Sequence, residues 1–253
     1  MQKTAWIDKL QIVMARLLCS LLFLFSILGI NPPAGVCDVL AVAAGIAPCV
    51  EEVVEAYIAQ GGEAIGMVKG SCGVLARQMA SGAPYDLLLA SEPRWPNWLK
   101  GKGGILDLKI FARGQVVLWH EKSDPPKLLS LGKYLLSIPE PETTAYGMLA
   151  KEYLQRRGLW DYLIESKKII FVGNAPQAVL AVRNGALDAA FIPRSMAIKA
   201  GGSYINIDRA VIDQVGGLAV GAGENARRFW LFCRSADVQA IWRKWGFEAV
   251  ITK

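Results

Sequence analysis

Small and hydroxyl-bearing residues recur at four places where an apolar run gives way to a helix-like stretch. They are Ala44-Gly45-Ile46-Ala47, Gly70-Ser71-Cys72-Gly73, Thr143-Thr144-Ala145-Tyr146 and Gly173-Asn174-Ala175. A helix start exposes unpaired backbone N–H groups and the positive end of the helix dipole. Several converging starts therefore make an anion trap that needs no formal charge. Ser71, Cys72, Thr143, Thr144 and Asn174 add side-chain donors. The chemistry these loops offer is capture of a small oxyanion. The same hydroxyls are ordinary helix caps, so capping and ligand contact stand side by side at each of them.

Catalytic readings find little support. His120 is the sole histidine, which argues against a zinc site and a His-based triad. No nucleophile is paired with a base. Glu140 and Glu142 flank the third loop, where they read as acidic residues ahead of a helix. The expectation is a non-enzyme with no metal-cation site and no cofactor. Nucleic acid is also unlooked for: the charge of +6 over 253 residues is mild and spread out, without a basic stripe interleaved with aromatics.

The loops require strands before them and helices after them. Asp38–Ala44, Ala64–Val68 and Asp86–Ala90 read as strands, with helices at Pro48–Gln60, Gly73–Ala80 and Pro93–Lys100. In the first helix Val50, Val53, Val54, Tyr57 and Ile58 share one face, as a period of 3.6 demands. Ile105–Trp119 reads as two extended segments broken at Ala112-Arg113-Gly114, and Gln115–Trp119 is the candidate crossing strand. A second series follows: strands at Tyr134–Ile138, Lys168–Val172 and Asp188–Ile192, helices at Tyr146–Arg157 and Pro176–Asn184. Ile212–Val220 crosses back, and helices at Glu224–Phe232 and Asp237–Trp245 close the chain. Alternating strands and helices imply parallel sheets with helical crossovers. All four loops then fall at the carboxyl ends of strands, where open parallel sheets bind ligands.

The first 37 residues read as a secretory signal peptide. Lys3, Lys9 and Arg16 precede an apolar run from Leu17 to Ile30, then Pro32-Pro33-Ala34-Gly35. The run is about 14 residues, short of the roughly 20 that span a bilayer. Cleavage falls near Cys37, and a lipidated Cys37 or an uncleaved anchor are the alternatives. The expected location is the periplasm. Of five cysteines, Cys49, Cys72 and Cys233 remain beyond the leader. Cys49 and Cys72 form either a disulfide or two buried free thiols.

The stretch Gly70-Ser71-Cys72-Gly73-Val74-Leu75-Ala76-Arg77-Gln78 through Gly82-Ala83-Pro84-Tyr85-Asp86-Leu87 resembles a segment of the periplasmic molybdate-binding proteins. So do Glu140-Pro141-Glu142 through Gly147, Ala150, Lys151 and Glu152, then Gly158-Leu159-Trp160-Asp161, and the tail Trp245-Gly246-Phe247. The resemblance runs in order over residues 38 to 253. It implies a divergent receptor of the molybdate or tungstate ABC importers, an α/β protein with the two-lobed type II periplasmic binding protein fold. Each lobe would be a mostly parallel sheet flanked by helices, with the ligand cleft between them. Lobe 1 would comprise 38–115 plus 217–253 and lobe 2 would comprise 116–216. The implied partners are the oxyanion and a membrane permease, and the implied state is a monomer. Sulfate, phosphate or an organic anion, or an exported anion-sensing module, form the alternative.

The resemblance also carries ligand positions. Gly45, beside Ile46, falls on a serine of the family, and Cys72 falls on a second serine whose neighbour is kept as Ser71. Tyr146 and Ala175 fall on backbone N–H donors, and Pro193 falls near a ligand tyrosine. Gly45, Cys72 and Pro193 thus each lack a hydroxyl. Thr143, Thr144, Ser71, Asn174 and Lys69 are candidate replacements.

Overall fold

A chain built to hold loops at strand ends must first fix the strands, and here three short parallel strands come first. The computed structural model describes residues 38–122, 124 and 128–250. The expected leader, its cleavage site and Cys37 lie outside them. Strand β1 (Val39–Ala43) pairs in parallel with β2 (Gly66–Gly70) and β3 (Leu87–Ala90). All four residues of β3, Leu-Leu-Leu-Ala, are buried, so the strand shows no polar alternation. The crossovers are α1 (Ala47–Ala59) and α2 (Cys72–Ala80), and α3 (Arg94–Gly101) follows β3.

Helix α1 starts with Pro48 in its first turn, where no N–H is required. It buries Cys49, Val50, Val53 and Tyr57. Ile58, expected on that face, is 44% exposed, although Tyr57 beside it is buried.

Strand β4 (Ile105–His120) is one continuous strand, not two segments broken at Ala112–Gly114. Its irregularity is absorbed by register shifts against β8 (Ser203–Ala219). Gly114 is there for close approach, not for a turn. A Cβ on it would lie 2.5 Å from Tyr146 Oη and 2.7 Å from Gln214 Nε2.

Between these two long strands come β5 (Leu136–Pro139), α4 (Ala145–Arg156), α5 (Trp160–Glu165), β6 (Ile169–Val172), α6 (Ala175–Arg183), β7 (Ala189–Pro193) and α7 (Arg194–Ala200). After β8 come α8 (Glu224–Phe232), α9 (Gln239–Lys244) and β9 (Glu248–Ala249).

The sheet order is β2-β1-β3-β8-β4-β7-β5-β6, with β9 paired to β4. Each end is parallel, β2-β1-β3 and β7-β5-β6. The middle is antiparallel. The expected pair of parallel sheets is thus hydrogen-bonded into one, because β4 and β8 run through both halves and pair in each, with residues 207–210 of β8 left out of the ladder between them. The buried apolar residues still divide. One cluster draws on residues 40–112 and 218–247, and two others draw only on residues 116–210. The start of α8 is tied back to the residues around β1 and α1: Ala226 N donates to Asp38 Oδ2 at 2.6 Å and Tyr57 Oη to Asn225 Oδ1 at 2.7 Å. No described helix is long and apolar enough to cross a membrane.

Candidate functional site

Strands β1, β2, β5 and β6 each end by turning into a helix, and all four turns face one cavity. It is lined by Ala43, Ala44 and Gly45 from the first turn and by Gly70, Ser71 and Cys72 from the second. Pro139, Thr144, Ala145 and Tyr146 come from the third, Asn174 and Ala175 from the fourth, and Ser91 from the end of β3. The lining carries no charged side chain. The cavity has a volume of about 20 Å³, enough for one or two water-sized groups. That suits a compact ion and excludes a drug-sized organic molecule.

The donors are mostly backbone. Among the described residues, the amide N–H groups of Gly45, Cys72, Ala145, Tyr146 and Ala175 have no acceptor in the turn and cap bonds that hold these loops. These are orphan groups of helix starts, and they face a cavity at the positive ends of helix dipoles.

The side chains divide by what their protons already do. Thr144 Oγ1 donates to Glu140 O at 2.8 Å and accepts from Gly147 N at 3.2 Å, so it caps α4 and its one proton is committed. Tyr146 Oη donates to Gln214 Oε1 at 3.2 Å, and burial pushes its phenol well above the ordinary range. Asn174 Oδ1 caps α6 by accepting from Gln177 N at 3.1 Å, which leaves its NH₂ free of the cap. Ser71 precedes α2 without making a side-chain cap bond. Lys69 pairs with Glu51 on the exposed surface and does not line the cavity.

Cys72 is buried, and desolvation pushes its thiol up to about 12. It stays a neutral S–H, so no negative charge opposes an anion. Its sulfur accepts from Ser91 N at 3.3 Å. Cys49, Cys72 and Cys233 are all free and buried, so of the two alternatives for Cys49 and Cys72 the free thiols hold. Among the described residues no cluster of His, Cys, Asp or Glu is arranged to hold a metal ion.

Seven of the nine residues singled out from sequence line the cavity: Gly45, Ser71, Cys72, Thr144, Tyr146, Asn174 and Ala175. Ile46 and Pro193 do not. Ile46 is fully buried in the core behind the first turn, and the Pro193 ring lies close to where a Cβ on Gly45 would be. Ser91 was missed. Its signal was a serine directly after a wholly buried strand, at the edge where parallel sheets bind ligands.

Glu92, next to Ser91, is fully buried and neither carboxylate oxygen has a hydrogen-bond partner. Arg94 Nε lies 3.3 Å away. Burial raises the carboxyl above the ordinary 4.5, and the Arg94 charge only partly opposes this. A raised carboxyl keeps its proton in the folded state while the unfolded chain loses it, so stability falls as pH rises above 4.5. Glu92→Gln is expected to match wild type in melting temperature at pH 4 and to gain progressively towards pH 8. A gap that stays constant across that range would show that Glu92 does not titrate abnormally.

The walls are also fastened to one another. Gly73 N donates to Thr143 O at 3.1 Å, Ser195 Oγ to Gly45 O at 2.9 Å and Arg94 Nη2 to Glu142 O at 2.9 Å. Gln214 is fully buried, and its amide donates to Ser91 O at 3.3 Å while its carbonyl holds Tyr146.

An uncharged cavity ringed by helix starts at the ends of parallel strands defines a receptor for a small solute. A family model described as bacterial extracellular solute-binding protein matches residues 39–248, and the chain belongs to that family. It is similar to the molybdate-binding protein ModA of Rhodobacter capsulatus, at 25% identity over 236 residues covering 87% of this chain and 92% of the relative. Among solved structures it is similar to the periplasmic molybdate-binding protein of Azotobacter vinelandii, with a TM-score of 0.77 and 23% identity over 85% of this chain and 100% of that one. The sulfate-binding protein SubI of Mycobacterium tuberculosis H37Rv shares the fold at a TM-score of 0.69 and 18% identity, over 85% and 87% of the two chains.

Proposed function

We propose that this chain is a periplasmic receptor that captures a tetrahedral oxyanion, molybdate or tungstate, and delivers it to the permease of an ABC importer. One observation carries the reading. Four helix starts present unpaired amides to a single small cavity whose lining has no charge. Dipoles and hydroxyls can stabilise a dianion there without a counter-charge to trap it permanently. The molybdate-binding relatives support the choice of ion. The divided core supports two lobes, 38–115 with 217–253 and 116–216, that close on the ligand by bending β4 and β8. The bonds from Gly73, Ser195 and Arg94 across the cavity would then be the fastenings of the closed form. The receptor works as a monomer and catalyses nothing.

Sulfate is the second reading, favoured by the shared fold of a sulfate-binding protein and by the hydroxyls missing at Gly45, Cys72 and Pro193. A thermal-shift panel of molybdate, tungstate, sulfate and phosphate separates the two. An ion at 100 times its dissociation constant stabilises by about 2.7 kcal/mol, a visible rise in melting temperature. A rise with sulfate alone moves the assignment to sulfate, and no rise with any of the four refutes the anion receptor.

Position 72 gives a finer test. The neutral Cys72 thiol is a weak donor, whereas a hydroxyl there makes a full charge-assisted bond. Cys72→Ser is expected to tighten molybdate binding by about tenfold, equivalent to ~1.4 kcal/mol. Unchanged or weaker binding in a calorimetric titration would remove Cys72 from the ligand contacts.

A further inference from the structure

We propose that Ser91 is a direct hydroxyl donor to the bound oxyanion, an assignment that rests on the anion-receptor reading above. Ser91 is 2% exposed, lines the cavity and has no hydrogen-bond partner for its Oγ. A buried hydroxyl without a partner costs stability and is uncommon in folded proteins. Its backbone is held on both sides: the N–H donates to Cys72 Sγ at 3.3 Å and the carbonyl accepts from Gln214 Nε2 at 3.3 Å. The side chain is therefore the one polar part of Ser91 left unused, on a backbone that its neighbours hold on both sides.

The other hydroxyls at the cavity sharpen the assignment. Thr144 has given its proton to Glu140 O, Tyr146 to Gln214 Oε1, and Ser195 behind the wall to Gly45 O. Ser91 Oγ lies near enough to the Cys72 thiol and the Tyr146 phenol to favour their ionised forms slightly. It makes a hydrogen bond of ordinary geometry to neither. What it lacks is an acceptor, and an oxyanion oxygen in the cavity is one. With Ser71 it replaces hydroxyls that Gly45 and Pro193 do not carry. The donor set then selects a small tetrahedral oxyanion that offers an acceptor towards β3 as well as towards the four helix starts.

The test is calorimetric titration of sodium molybdate, tungstate, sulfate and phosphate into wild type, Ser91→Ala and Ser91→Cys, with the melting temperature of each ligand-free protein. The expected result is that Ser91→Ala weakens the ion bound by wild type about 10- to 100-fold. Ser91→Cys, with its weaker donor, is expected to fall between. The ligand-free melting temperature of Ser91→Ala is expected to be unchanged or higher, because a buried unpaired hydroxyl is gone. Three results overturn the proposal. Binding by Ser91→Ala within twofold of wild type removes Ser91 alone and leaves the receptor reading intact. A ligand-free melting temperature that drops along with affinity makes Ser91 a structural residue. Wild type that binds none of the four ions overturns the assignment and the receptor reading together.

Discussion

Gly147→Ala is expected to dismantle the third wall of the cavity. Gly147 lies in the first turn of α4, and a Cβ there would sit 1.9 Å from Pro139 O and 2.6 Å from Thr144 Oγ1. The nearer atom is a backbone carbonyl at the end of β5, which is hydrogen-bonded into the sheet between β6 and β7. It cannot swing aside as a side chain would. Overpacking usually costs about 1–3 kcal/mol, and a clash with fixed backbone belongs at or beyond the top of that range. With ~2–4 °C lost per kcal/mol in a chain of this size, the melting temperature should drop by about 6–12 °C. Affinity should suffer more, because the displaced turn carries the Ala145 and Tyr146 amides and the Thr144 cap. A loss of at least about 100-fold in molybdate binding is expected, since two charge-assisted bonds go at once. Gly101→Ala is the control: nothing lies within 4 Å of its Cβ position, so it should be neutral or stabilising by up to about 1 kcal/mol. If Gly147→Ala melted within 2 °C of Gly101→Ala, the helix start would have room to slide and the wall would be softer than the contact implies.

Gly147 shows which parts of this site can be read from a sequence. Helix starts are local events. Ser71, Thr144 and Asn174 announce them by residue type, and seven of the eight residues named from the four loops do line one cavity. The helices after β1, β2, β5 and β6 were legible within a residue or two for the same reason. What could not be read were approaches between residues distant in the chain. Gly114 looked like a break in a strand, yet it makes room for Tyr146 and Gln214 within a continuous one. Thr144 read as a helix cap that could also donate to a ligand, and only the fold shows its proton lying on Glu140 O. Ile46 shares a loop with Gly45 but turns into the core. Ser91 follows a buried strand as many serines do, and what sets it apart, the lack of a partner for its Oγ, is a property of everything around it. The long pairing of β4 with β8, which merges two expected sheets into one, depends on 17 residues of β8 beginning at Ser203, well before the apolar stretch at Ile212 that marked it.

Gly45→Ser puts the same distinction to work, because sequence and structure predict opposite results. By resemblance to the molybdate-binding proteins, a serine at position 45 restores a missing hydroxyl and should tighten binding. The structure puts a Cβ at that position 2.9 Å from Pro193 Cγ and 3.3 Å from Tyr146 Cε2. Pro193 is the last residue of β7 and is paired to Val116, and Tyr146 is held by the buried Gln214. Gly45 O also accepts from Ser195 Oγ at 2.9 Å, so the turn cannot retreat without breaking that bond. Gly45→Ser is therefore expected to destabilise the protein by about 1–3 kcal/mol and to weaken molybdate binding by roughly tenfold or more. Pro193→Ala removes the atom in the way. In the double variant Gly45→Ser/Pro193→Ala part of both losses should return, with a coupling of about 1–2 kcal/mol between the two positions. Denaturant unfolding and titration of the four proteins measure it. Additive effects would mean that the two positions do not feel each other, and tighter binding by Gly45→Ser alone would make the resemblance the better guide. A positive coupling would show instead that the glycine at 45 and the proline at 193 are one change. The ring fills the space a serine would need.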